Sequence, residues 1–252
     1  MQHTAFRKID TALNNREDVL IMCVGDSITW GCNHCNVNET YCAYLADAFA
    51  KLYKDVTVLR FDGVMTQSGM PLERYDGPTI VQSGEKSTLT LVKSGVGGDT
   101  VKRAIARADD FIGAFQEGKE PDVFLLMFGI NDALDDPQKF VTPEEYYANY
   151  TILYDRIRKA HPQAAVVLMT PTYNDSGKSH TSCLDAYADM VKLLAEKTGS
   201  QLIDLHRVFM EHLVIGAEHY GQGDWLSGKV GDYCHLSPRG SAAVAKHIFD
   251  AL

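Results

Sequence analysis

The chain has 252 residues, 45% hydrophobic and 23% charged, with a formal net charge of −9. That length and apolar content suit one α/β domain with a core of its own. The acidic balance argues against nucleic-acid and anionic-membrane partners, and no apolar run is long enough to span a bilayer.

Val19–Val24 is an unbroken apolar run, the pattern of a strand buried on both faces, and it stops at Gly25. Asp26, Ser27, Ile28, Thr29, Trp30 and Gly31 follow. A serine just past a buried strand stands at the carboxyl edge of the sheet, where open α/β sheets bind ligands. Asn38 or Thr40 caps the next helix, whose buried face reads Tyr41, Tyr44, Leu45, Ala48, Phe49 and Leu52. Val56–Phe61 alternates as a strand. Residues 62–86 read as an insertion: Gly63, Gly69, Pro71, Gly77, Pro78 and Gly84 are interleaved with apolar residues, so a covering loop and an edge hairpin are both open.

Leu89–Lys93 is the next strand, and a helix capped by Asp99 follows it, with Val101, Ile105, Ala108, Ile112 and Phe115 on its apolar face. Val123–Phe128 is a second fully apolar strand, ending in Gly129-Ile130-Asn131-Asp132. Thr142-Pro143-Glu144-Glu145 is a capping box, and its helix runs to about Ala160. Ala164–Met169 is a strand, Ser182–Lys197 a helix and Gln201–Leu205 the last core strand. A glycine-rich loop, Gly216–Gly231, precedes a terminal helix opened by Ser237-Pro238. Alternation of strand and helix implies a parallel sheet covered on both faces, over one domain spanning 1–252.

Three strand ends (25–31, 95–100 and 129–132) are polar and glycine-bearing, and a fourth polar cluster, Asp232-Tyr233-Cys234-His235, precedes a helix. Ester acyl transfer needs a nucleophile, a base, a group that orients the base and donors for an oxyanion. Ser27 is the candidate nucleophile and His235 the candidate base. Asp232, three residues earlier, is its candidate partner, ahead of Asp224 on spacing. The Ser27 and Gly98 N–H groups and the Asn131 amide are candidate oxyanion donors, with Gly97 as an alternative to Gly98. Asp26 and Asp132 read as turn-holding carboxylates. Cys32, His34, Cys35 and Cys42 offer tetrahedral zinc chemistry, but a single Cys-x-x-Cys lacks the second pair that makes such spacing specific, so no metal is expected.

GDSIT at 25–29, a glycine before a helix at 98, GIND at 129–132, and DYCH at 232–235 followed by LSPRG resemble the GDSL, or SGNH, hydrolase family. The four blocks occur in order and reach from residue 25 to 240. The resemblance implies a flavodoxin-like three-layer α/β/α sandwich with a central parallel sheet, and no metal or organic cofactor. It also implies Ser27 as nucleophile, His235 as base, Asp232 as its partner, and Ser27, Gly98 and Asn131 as the oxyanion hole. Two features depart from the family's pattern: isoleucine and threonine stand where GDSL has leucine, and the 62–86 insertion is long.

The expected function is a serine esterase that removes a short acyl group, acetyl foremost, from a small-molecule or carbohydrate ester. Trp30, Trp225 and Tyr233 fall in loops suited to binding such a substrate, since aromatic faces pack on sugar rings. The alternatives are a longer-chain thioesterase or lysophospholipase, and a non-catalytic carbohydrate- or partner-binding module. Met1–Asn15 shows no signal-peptide pattern, and the six cysteines then read as reduced thiols of a cytoplasmic protein, with a secreted protein whose leader has been removed as the alternative.

Overall fold

The structure is a computed structural model that describes residues 4–31, 35–65, 70–113, 115, 118–173, 181–215, 224–227, 232 and 234–252. Its centre is β1 (Val19–Gly25), buried along its whole length. β4 (Thr88–Gly95) and β5 (Val123–Met127) pair with it in parallel, one on each side. β2 (Thr57–Val64) extends the sheet beyond β4, while β6 (Ala165–Met169) and β7 (Gln201–Ile203) extend it beyond β5, all parallel. β3 (Arg74–Gln82) closes one edge antiparallel to β2, giving the order β3-β2-β4-β1-β5-β6-β7. Residues 62–86 therefore hold the end of β2 and an exposed edge strand.

The chain progresses in opposite directions on the two sides of β1. The carboxyl ends of β1, β4 and β5 thus border a topological switch point, the place where such sheets bind ligands.

Helices cover both faces. On β4, Lys93 Nζ reaches the Trp30 carbonyl of α2 (Ser27–Trp30) at 3.0 Å. The next side chain, Ser94, points to the opposite face, as alternation along a strand requires, and its Oγ accepts from the Tyr75 hydroxyl. α3 (Tyr41–Leu52) packs on α9 (Pro238–Ala251), with Phe49 and Phe249 edge to face at 5.5 Å. Elsewhere α6 (Pro143–Ala160) packs on α4 (Val101–Ala106) and α7 (Thr181–Thr198), and Tyr146 stacks on Tyr187 at 4.2 Å.

Local signals explain most boundaries. Thr40 caps α3 by accepting from the Ala43 N–H, and Thr142 with Glu145 forms the capping box of α6. Four expectations are corrected. Thr100, not Asp99, caps the helix after β4, because the Asp99 carboxylate is taken by Arg107. That helix is also broken, with α5 (Asp109–Ile112) as a separate turn. The buried face of α3 centres on Cys42, Leu45, Ala46 and Phe49, leaving Leu52 47% exposed. The last strand ends at Ile203, and Leu205 instead opens α8 (Leu205–Ile215).

Candidate active site

Ser27 is the first residue of α2, directly after β1. The Asp26 carboxylate caps this short helix, accepting from the Ile28 N–H at 2.9 Å. α2 lies hard against the end of β4: a Cβ on Gly95 would come within 2.2 Å of the Trp30 backbone nitrogen. Glycine is required at 95 for that approach.

The segment 232–237 delivers the second half of the site. His235 Nε2 lies 2.8 Å from Ser27 Oγ, across 208 residues of sequence. On the other side of the ring, His235 Nδ1 lies 2.9 and 3.0 Å from the two Asp232 carboxylate oxygens. Asp232 also accepts from the backbone N–H of His235 at 3.1 Å and of Cys234 at 3.3 Å. Burial pushes the Asp232 carboxyl up, but those N–H groups and the adjacent imidazole outweigh it and bring it down to about 2.

The segment is fastened from below. Leu226 bridges to Leu236, Ser227 N–H donates to the His235 carbonyl at 2.8 Å, and Ser237 N–H donates to the Trp225 carbonyl at 2.9 Å. A Cβ on Gly240, in the first turn of α9, would meet that carbonyl at 1.9 Å, so glycine lets the helix seat there. Trp225 stacks flat on His212 of α8 at 3.8 Å and meets Phe209 edge-on. Asp224, the competing carboxylate, lies 2.8 Å from His212 Nε2.

The turns after β4 and β5 lie at the same edge of the sheet as Ser27, the first held to β1 by the Val96 N–H on the Gly25 carbonyl. Gly98 has φ +76°, a left-handed conformation that glycine adopts without strain. No hydrogen bond to the Gly98 N–H is found among the described residues, whereas the Gly97 N–H donates to Met65 Sδ at 3.3 Å. The Asn131 amide donates to the Asp99 carbonyl at 2.8 Å, tying the β5 turn to the β4 turn, and Asp132 accepts from the Val101 N–H. Asp26 and Asp132 are both buried, at 1% and 0% exposure. Burial raises Asp26 to about 7, against the pull of the Ile28 N–H and with help from the Asp99 charge. Burial likewise raises Asp132 well above the carboxylate range.

Trp30 borders a cleft of about 410 Å³ with Met65, Thr79 and Lys93. Tyr233, Cys32 and His34 lie outside the described residues. Cys35 Sγ meets the Leu236 carbonyl at 3.3 Å, and Cys42 is buried against Cys23. Among the described residues the one group with metal-ligand proximity is Asp232, Cys234 and His235, the same cluster that reaches Ser27. Sequence reasoning did not find Arg107. It is buried at the C-cap of α4, with its guanidinium on the Gly25 and Ser94 carbonyls, and no local pattern in the sequence marks that contact.

Residues 74–243, more than half the chain, match the model of the GDSL-like lipase/acylhydrolase family. This chain belongs to that family. An acetylxylan esterase of Geobacillus stearothermophilus is 31% identical over 134 residues. That alignment covers 50% of this chain and 58% of the esterase, so the chain spans less than two thirds of that relative's length. A GDSL esterase/lipase of Arabidopsis thaliana is 23% identical over 202 residues, 66% of this chain and 82% of its own. The crystal structure of an acetyl xylan esterase superposes with a TM-score of 0.63 at 19% identity, covering 93% of this chain and all of that one. At that identity it shows a shared GDSL-type fold.

Proposed function

We propose that this protein is a serine-dependent carboxylic ester hydrolase that removes a short acyl group, acetyl foremost, from a small-molecule or carbohydrate ester. The observation that carries the reading is the line Ser27 Oγ, His235 imidazole, Asp232 carboxylate, joined at 2.8 and 2.9 Å. Ser27 Oγ attacks the ester carbonyl and its proton passes to His235 Nε2. Asp232 holds the ring in the matching tautomer and stabilises the imidazolium. The tetrahedral oxyanion is received by the Ser27 N–H, the Gly98 N–H and the Asn131 amide. His235 then protonates the departing alcohol, and water repeats the sequence on the acyl-enzyme.

The acetyl preference is supported by the acetylxylan esterase relative, and the cleft beside Trp30 has both apolar walls, at Val64 and Met65, and polar ones, at Asp76 and Thr79. The test is hydrolysis of p-nitrophenyl esters from acetate to decanoate, with Ser27→Ala alongside. Acetate as the best substrate, abolished by the substitution, is the expected result. A maximum at octanoate or longer overturns the short-acyl assignment. Equal rates for wild type and Ser27→Ala, with no mass gain from a fluorophosphonate probe, overturn the serine mechanism.

A further inference from the structure

We propose that Arg107 is a positioning residue of the oxyanion site, holding its three donors to one centre; the proposal rests on the serine-hydrolase reading above. The donors sit on loops after three different strands, and each must lie within hydrogen-bond reach of the same developing charge. Arg107 is a buried arginine at the end of α4. Its Nε donates to Asp99 Oδ2 at 2.7 Å, while its Nη2 lies 3.3 Å from both the Gly25 and the Ser94 carbonyls. Phe111 lies beneath the guanidinium, with Cζ 5.2 Å from the ring centre.

The contacts to Gly25 and Asp99 lie within two residues of a donor. Gly25 is the last residue of β1, two before Ser27, and its carbonyl also receives the Val96 N–H of the β4 turn. Asp99 directly follows Gly98, so gripping its carboxylate sets the peptide that carries the Gly98 N–H. The carbonyl of the same Asp99 receives the Asn131 amide at 2.8 Å, which orients the third donor. One rigid, planar fork thus bears on all three donors. A lysine ammonium, a point charge on a flexible stem, has no such geometry. Arg107 is too deep to touch substrate and acts through Gly25 and Asp99.

A buried ion pair that serves stability alone would not divide the kinetic constants, and this supplies the test. Arg107→Ala and Arg107→Lys are compared with wild type, with active sites counted by a fluorophosphonate so that only folded enzyme enters the rates. Loss of a single oxyanion donor lowers kcat by about 10²–10³, so Arg107→Ala is expected to lose about 10² in kcat while KM stays within about twofold. Affinity for a boronic acid that mimics the tetrahedral state is expected to fall in step with kcat/KM. Added guanidinium at millimolar concentration restores part of the rate in Arg107→Ala. If Arg107→Ala does not fold, Arg107→Lys is read in its place, with about tenfold lower kcat as the expected loss.

Amide hydrogen exchange is measured in parallel. Exchange at 95–99 and 129–132 is expected to quicken by about tenfold in Arg107→Lys, with α7 unchanged. Folded variants with wild-type kcat and unchanged exchange in those loops overturn the proposal, as does a loss confined to KM. A wild type inert on every ester overturns the hydrolase reading instead, and the exchange of the two loops still decides whether Arg107 holds them.

Discussion

Asp26 directly precedes the serine and is buried, and its carboxyl stands near 7 where an exposed one titrates at 3.8. The unfolded chain therefore releases this proton at lower pH than the folded one. Between those two values the folded state binds more protons, so stability is full below about pH 4 and falls as pH rises toward 7. A gap of about three pH units is worth about 4 kcal/mol once both states are ionised. Between pH 5 and pH 8 the part still to be lost is about 2–3 kcal/mol. Asp26→Asn keeps a carbonyl oxygen to accept the Ile28 N–H and abolishes the titration. Burying an amide adds a cost that does not depend on pH, so the slope and not the absolute stability carries the information. Asp99 and Asp132 are present in both proteins, and the mutual repulsion that links them to Asp26 is part of the difference measured. The assay is thermal unfolding of both proteins at pH 5, 6, 7 and 8. The midpoint of Asp26→Asn relative to wild type is expected to rise by about 5–10 °C from pH 5 to pH 8, at about 2–4 °C per kcal/mol for a chain of this size. A difference that stays constant across that range refutes the buried-acid reasoning.

Asp232→Asn keeps the size of the side chain but loses the charge that, in the proposed mechanism, stabilises the imidazolium, and kcat is expected to fall by about 10⁴ with KM little changed. Because the folded Asp232 carboxyl is depressed to about 2, its link to His235 is complete above about pH 4 and is lost only as pH falls through about 2. A wild-type pH–rate profile with a break near 4 that disappears in Asp232→Asn contradicts that value. Asn131→Ala removes a proposed oxyanion donor and leaves the Asp99 carbonyl without the amide that meets it. It is expected to lower kcat by about 10²–10³ on p-nitrophenyl acetate, and a loss below tenfold places Asn131 outside the reaction.

What could be read from the chain depended on the range of the cause. The sheet was legible because Val19–Val24 and Val123–Phe128 are apolar without a break, as strands buried on both faces must be. Helix starts were legible where the cap is local, as at Thr40, Thr142 and Ser237. Asp99 misled because its type suits a cap, while its partner Arg107 lies eight residues on and was invisible to a local rule. The first helix, α1 (Thr4–Asn14), has only a sparse local signal: Ala5, Ile9 and Leu13 recur at a spacing of four and are all buried. The start of α8 is ambiguous in sequence because Leu205 prolongs an apolar strand pattern just as well as it opens a helix. Segment 62–86 admitted two readings because its glycines suit a free loop while Tyr75 and Val81 suit a sheet. The pairing of Arg74–Gln82 with β2 is a tertiary choice that composition does not record.

The two histidine–carboxylate pairs of the 205–237 region show where pattern stops and geometry begins. His212 meets Asp224 at 2.8 Å, and His235 meets Asp232 at 2.9 Å. Residue type and distance do not separate them, and both carboxylates stand in the same glycine-rich part of the chain. They differ in what the rest of each ring faces. His212 lies flat on Trp225, its plane within 2° of the indole, so its pairing anchors 224–227 to α8. His235 turns its second nitrogen to Ser27 Oγ, while glycine at 240 lets the first turn of α9 close on the Trp225 carbonyl beside it. One pair thus braces the segment that presents the other. A carboxylate beside a histidine is an orienting device in both places, and it becomes relevant to chemistry only where the far nitrogen has a nucleophile to meet.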